Sequence, residues 1–167
     1  QVAEFYSNTV PPHVFAQILN EIGKFYNNSL LVIEANGPGS AVLSNLQSQL
    51  YYDNIYFQNS NTKNPKAGIR MSQSNRPLFL ESLQNKIIND SMRINSIRIT
   101  NELQTFEYNS TTKKAQAQKG KHDDAIISLC LAVFVRDQLN QDIVASSVGL
   151  APKNSVNKTI YDEIRKE

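Results

Sequence analysis

Apolar residues recur at helical spacing after Pro11-Pro12. Phe15, Ile18, Leu19, Ile22 and Tyr26 fall on one face and predict a first helix, with the prolines tolerated in its opening turn. The pattern then changes. Leu30-Leu31-Val32-Ile33 is a run of four apolar residues ending on Glu34, and it predicts a central strand buried on both faces. A turn-rich loop, Ala35–Gly39, leads to a second helix over about Ser40–Leu50, with Val42, Leu43, Leu46 and Leu50 inward. Short strands are predicted at Val2–Tyr6, Ile55–Gln58 and Met92–Ile94. Asn59–Gly68 is polar and reads as an exposed loop. A third helix starts at Pro77, with Phe79, Leu80, Leu83 and Ile87 on its inner face. Ser96 caps a short helix reaching Phe106, and Phe106–Tyr108 pairs with Lys114–Gln118 as a hairpin. Asp123–Leu139 is apolar on nearly every side, which predicts a helix buried on most of them. Residues 141–167 read as a polar tail ending in a solvated helix.

Helices alternating with strands predict an α/β class with a mixed or parallel sheet flanked by helices. With 167 residues, one domain is expected. The 40% apolar content supports a folded core. The longest apolar stretch, Ala125–Val135, falls short of the roughly 20 residues that a membrane helix needs, so no membrane partner is expected. Glu4 and Asn8 interrupt the apolar run that a signal peptide would need. A single cysteine, Cys130, excludes an internal disulfide and a cysteine-based zinc site, and its place in the apolar helix reads as inert core. Neither a Walker-type phosphate loop nor a strand-linked G-x-G-x-x-G is present. The net charge of +2 is too small to imply nucleic acid by itself, so local clustering has to carry that argument.

Three carboxylates stand where chemistry is plausible. Glu34 ends the most buried strand, the edge at which open α/β sheets bind ligands; a strand finishing on a charge as it meets water is the plain alternative. Asp123 and Asp124 open the most buried helix after Lys121-His122. Capping explains one aspartate there, but not two. Together the three are hard oxygen ligands suited to Mg²⁺ or Mn²⁺. Two such ions ~3.5–4 Å apart clamp a phosphodiester in in-line displacement. His122 suits a proton-handling role near neutral pH, or a surface turn. Lys113, Lys114, Lys119 and Lys121 crowd the preceding segment and suit contact with a DNA backbone, or a solvated turn. Lys63, Lys66 and Arg70 form a second, weaker basic group. Asn36 and Ser40 stand beside Glu34 as groups that would position a phosphate or a water, Ser40 alternatively as a helix cap.

In order along the chain, Val32-Ile33-Glu34-Ala35-Asn36-Gly37-Pro38-Gly39, Lys66-Ala67-Gly68-Ile69-Arg70, Asn75-Arg76-Pro77 and Gly120-Lys121-His122-Asp123-Asp124-Ala125 resemble the nuclease domain of the large terminase subunit of tailed bacteriophages. The opening Gln1–Thr9 is similar to the stretch before the first helix in T4-like members. The resemblance covers roughly residues 1–135. It implies an RNase H-like mixed sheet, and two-metal-ion cleavage of concatemeric double-stranded DNA during DNA packaging. Glu34 would be the strand carboxylate, and Asp123 or Asp124 the helix carboxylate. The implied partners are double-stranded DNA, an N-terminal ATPase domain of the same parent chain, the portal and the small terminase subunit. The implied place of action is the packaging motor in the host cell cytoplasm, not the mature virion. The resemblance also puts a further metal-binding aspartate upstream of Gln1. Residues 1–140 are therefore expected to be an N-terminally incomplete nuclease domain, weak or inactive alone, with 141–167 as its tail. The rival expectation is a non-catalytic module that guides DNA or docks to the portal or ATPase.

Overall fold

The computed structural model of the chain describes residues 1–58 and 62–147. It is a mixed α/β protein of two compact units, one made of Gln1–Ser7 with Ser72–Phe134, the other of Asn8–Met71 with the chain from Val135 on. The described residues hold five helices and two small antiparallel sheets of two strands each, so the α/β class holds but the expected RNase H-like mixed sheet is not evident among them. None of these helices is long and apolar enough to cross a membrane.

In the unit beginning at Asn8, α1 (Pro12–Phe25) and α2 (Pro38–Ser48) pack on a core of Ala16, Leu31, Val42, Leu43, Leu46, Tyr52 and Ile55. Gly23 of α1 lets the Tyr52 ring lie against the helix, because a Cβ there would collide with the phenol; Tyr52 Oη donates to the Ser29 carbonyl at 2.5 Å. α2 starts two residues earlier than Ser40. Pro38 has the right φ for a first helical residue, and Gly37 takes up the turn at φ +51°.

The segment after Ser29 departs from expectation. It is not a continuous strand buried on both faces. Leu31 makes an isolated parallel bridge to Ile55, and Glu34 makes one to Ile69. The Leu31 N–H donates to Asn54 O and Leu31 O accepts from Tyr56 N, both at 2.9 Å. Ile33 O then accepts from Ile69 N, and Ala35 N donates to Ile69 O, both at 2.8 Å. The segment changes neighbour midway, so no ladder of consecutive pairs builds up. Leu31 is buried, but Leu30, Val32, Ile33 and Glu34 are half-buried. β1 (Phe57–Gln58) and β2 (Lys66–Ala67) pair antiparallel beside it, so part of the expected 59–68 loop is strand.

In the other unit, α3 (Arg76–Ile88) buries Phe79 and Leu83; Ile87 is exposed, so the apolar face is narrower than the spacing implied. The two strands expected here, Val2–Tyr6 and Met92–Ile94, are absent. The segments are linked instead by single bonds: the Gln1 amino group donates to Arg93 O at 3.0 Å, and Asn95 Nδ2 to Gln1 O at 2.8 Å. α4 (Ile97–Gln104) is capped by Ser96, whose Oγ accepts from Ile99 N. β3 (Phe106–Asn109) and β4 (Lys114–Ala117) form the expected hairpin, with Phe106 opposite Ala117. Asn109 Oδ1 closes its turn by accepting from the N–H groups of Thr111 and Thr112.

α5 (Asp124–Ser147) begins in this unit and ends in the other. Ile126, Ile127, Cys130, Leu131, Val133 and Val135 are buried, whereas Ser128, Ala132 and Arg136 form an exposed stripe at four-residue spacing. The helix is therefore solvated along one side. It also runs past Leu139, so residues 141–147 of the expected tail are helical. Residues 148–167 lie outside the described residues.

Candidate functional site

At the start of α5, Asp123 O accepts the first helical bond from Ile127 N at 2.9 Å, which puts Asp123 at the N-cap position. Its carboxylate does not cap the helix. Asp123 Oδ2 accepts from Arg76 Nη2 at 2.6 Å and from Ala117 N at 3.3 Å. The Ile126 N–H, which a capping aspartate would normally take, donates to Glu102 Oε2 at 3.0 Å. Glu102 comes from α4 and is only 9% exposed. A buried carboxylate from a neighbouring helix thus satisfies the helix end, and the two aspartates are released from that duty.

Their surroundings differ. Asp123 is paired with a guanidinium and its side chain is 24% exposed; that of Asp124 is 75% exposed. His122 Nδ1 lies 3.8 Å from Asp124 Oδ2, with its ring also in solvent. Deeper along the helix, burial pushes the Cys130 thiol up to about 12. Arg76 opposes that shift and Asp123 adds to it. Cys130 is therefore a neutral core residue at ordinary pH.

Lys113, Lys114, Lys119 and Lys121 are all exposed. The first two stand where the hairpin turn meets β4, and the others lie between β4 and α5. In the same unit, a cleft of about 1120 Å³ has Glu4, Tyr6, Arg98, Glu102, Lys121 and His122 in its lining. Arg98 is occupied there: it pairs with Glu4 at 3.1 Å and lies 3.6 Å over the Tyr6 ring.

Glu34 belongs to the other unit, where it is half-buried. Gly39 makes its position possible, because a Cβ on Gly39 would overlap the Glu34 carbonyl. The neighbours expected to handle phosphate or water are committed elsewhere. Asn36 Nδ2 donates to Met71 O at 2.8 Å, and Ser40 Oγ to Ala35 O at 2.7 Å. Ser40 lies inside α2, whose N-cap is Gly37, and so does not cap it. The first bond fastens the loop after Glu34 to the chain at Met71, and the second ties that loop to α2.

Among the described residues, no three His, Cys, Asp or Glu side chains come together as a metal-binding group. The chain matches no protein-family model, and no curated protein is significantly similar to it. Reading the sequence missed two residues at the α5 start. Arg76 was visible within Asn75-Arg76-Pro77, but its partner lies 47 positions away. Glu102 gives no local signal, being one acidic residue in a short polar helix.

Proposed function

We propose that the chain is a metal-dependent endonuclease domain of the phage-terminase kind that acts on double-stranded DNA. The observation that carries this reading is the release of Asp123 and Asp124 from capping by Glu102. With Glu102 on the Ile126 N–H and Asp123 held by Arg76, Asp124 is the carboxylate of this helix start that stands in solvent.

Hard carboxylate oxygens suit Mg²⁺ or Mn²⁺ in kind. Mg²⁺ commonly keeps several waters and takes one or two protein carboxylates plus substrate phosphate oxygens, so a three-residue cage is not required. Asp124 is the accessible carboxylate of the α5 start, its side chain 75% exposed. When bound, the ions supply an activated water and stabilise charge at the phosphorus. The chain's own residues do the rest. Arg76 neutralises Asp123 and fixes the helix start. The four lysines hold the phosphate backbone, and His122 takes or gives a proton beside Asp124.

A second reading is a DNA-guiding module with no cleavage of its own. It is favoured by the Arg76–Asp123 pair, since a carboxylate already neutralised at 2.6 Å is less available to a cation. Plasmid nicking in Mg²⁺ and in Mn²⁺, together with Mn²⁺ binding followed by electron paramagnetic resonance, separates the two. The nuclease reading expects Mn²⁺ binding that is weakened at least tenfold by Asp124→Ala, with weak nicking or none from the chain alone. Salt-sensitive DNA binding with no Asp124-dependent Mn²⁺ binding would establish the guiding module instead.

A further inference from the structure

The unit that carries Glu34 also holds a groove of about 350 Å³ between α2 and the β1–β2 ribbon. Its polar lining is Ser40, Ser44, Gln47, Gln58, Lys66 and Arg70, and no Asp or Glu contributes to it among the described residues. In a chain with 15 acidic residues against 17 basic ones, such one-sided lining sets this surface apart. The floor is tight. Gly68, at φ +75°, sits where a Cβ would come within 2.6 Å of Ile33 O and 2.8 Å of Leu43 Cδ1. Gln58 is oriented by its neighbour: its Oε1 accepts from Arg70 N at 3.1 Å, which turns the amide NH₂ away from that bond as a donor. Lys66 is exposed at the rim. Two cations and an amide donor over an uncharged floor form a lining suited to a phosphate oxygen.

We propose that this groove is a second phosphodiester-binding surface, taking the DNA backbone through Lys66, Arg70 and Gln58 independently of the hairpin lysines. The proposal rests on the nuclease or guiding reading for its choice of DNA, but not on cleavage. Each phosphate neutralised adds about 0.9 to the slope of log K against log salt on duplex DNA. Extrapolated from 1 M to 0.1 M salt, that is about eightfold in affinity per contact.

The test is fluorescence anisotropy of a labelled duplex titrated with the full chain over a range of NaCl concentrations. Lys66→Gln is expected to lower the slope by about 1 and the affinity at 0.1 M NaCl about eightfold. Lys66→Gln combined with Arg70→Gln should lower the slope by about 2, and Arg70→Lys should retain most of the binding. Lys66→Glu, at an exposed position, gives the same reading with little demand on folding. An unchanged slope in both Lys66 variants, alongside a loss in Lys113→Gln/Lys114→Gln, would overturn the groove while leaving DNA binding in place. Inorganic phosphate that abolishes the Lys66-dependent part at low millimolar concentration would overturn it too, by showing a site for free phosphate. Failure to nick plasmid leaves this result untouched.

Discussion

The two units hold their candidate carboxylates by different physics. Around Glu34 the work is done by apolar packing and close backbone approach. Leu46 of α2 is fully buried, Gly39 admits the Glu34 carbonyl, and Gly68 admits that of Ile33. Around Asp123 and Asp124 it is done by charge: Arg76 on Asp123, and the buried Glu102 on the Ile126 N–H. Packing forces are short-ranged and tolerate almost no change of shape. A charged network tolerates changes of shape, but not the loss of one partner. Substitutions should therefore cost stability in the first unit and act more selectively in the second.

The largest effect is expected from Leu46→Ala. Removing a fully buried leucine side chain costs about 2–5 kcal/mol, and in a chain of this size each kcal/mol lowers Tm by about 2–4 °C. Thermal unfolding followed by circular dichroism measures it. A drop of only a degree or two would mean that the α1–α2 core is looser than its burial implies, and the contrast between units would weaken.

Glu102→Ala comes next. It leaves the Ile126 N–H buried without an acceptor, at a cost of about 1–3 kcal/mol. Glu102→Gln keeps an acceptor oxygen of the same reach and should cost less than half as much. Equal losses in the two variants would show that the negative charge is what α5 needs, rather than the hydrogen bond. Amide hydrogen exchange at Ile126 gives a local readout of the same bond, and should speed up in the alanine variant but not in the glutamine one.

Asp124→Ala should change stability least. Its side chain is 75% exposed and removes only a dipole contribution of about 0.3–1 kcal/mol at the helix start. The same variant is expected to cause the loss of Mn²⁺ binding described above, so stability and function come apart at this residue. A Tm drop as large as that of Glu102→Ala would make Asp124 a structural residue and remove the basis for assigning it a metal.

The helices were readable because their signals are local. Pro12 and Pro77 sit in first turns as expected, although Pro38, assigned to the loop, opens α2; Ser96 caps α4 as its position implied, and the 106–117 hairpin has its turn chemistry within a few residues. Strands were read less well, because a strand exists only through its partner. Leu30–Glu34 has the composition of a buried central strand, yet its neighbours change from Asn54–Tyr56 to Ile69 along its length. Val2–Tyr6 and Met92–Ile94 have strand-forming residues but no ladder.

For the candidate site the division is similar. Residue type and spacing alone determined that Asp123 and Asp124 are carboxylates at a helix start and that lysines gather before α5, whereas the strand end expected at Glu34 is an isolated bridge to Ile69. Only the tertiary structure decided which aspartate is neutralised, because Arg76 reaches Asp123 across 47 residues and Glu102 reaches Ile126 across 24. Hydrogen bonds and ion pairs act over about 3 Å in space with no regard for separation along the chain, so their partners become known only when the chain has folded.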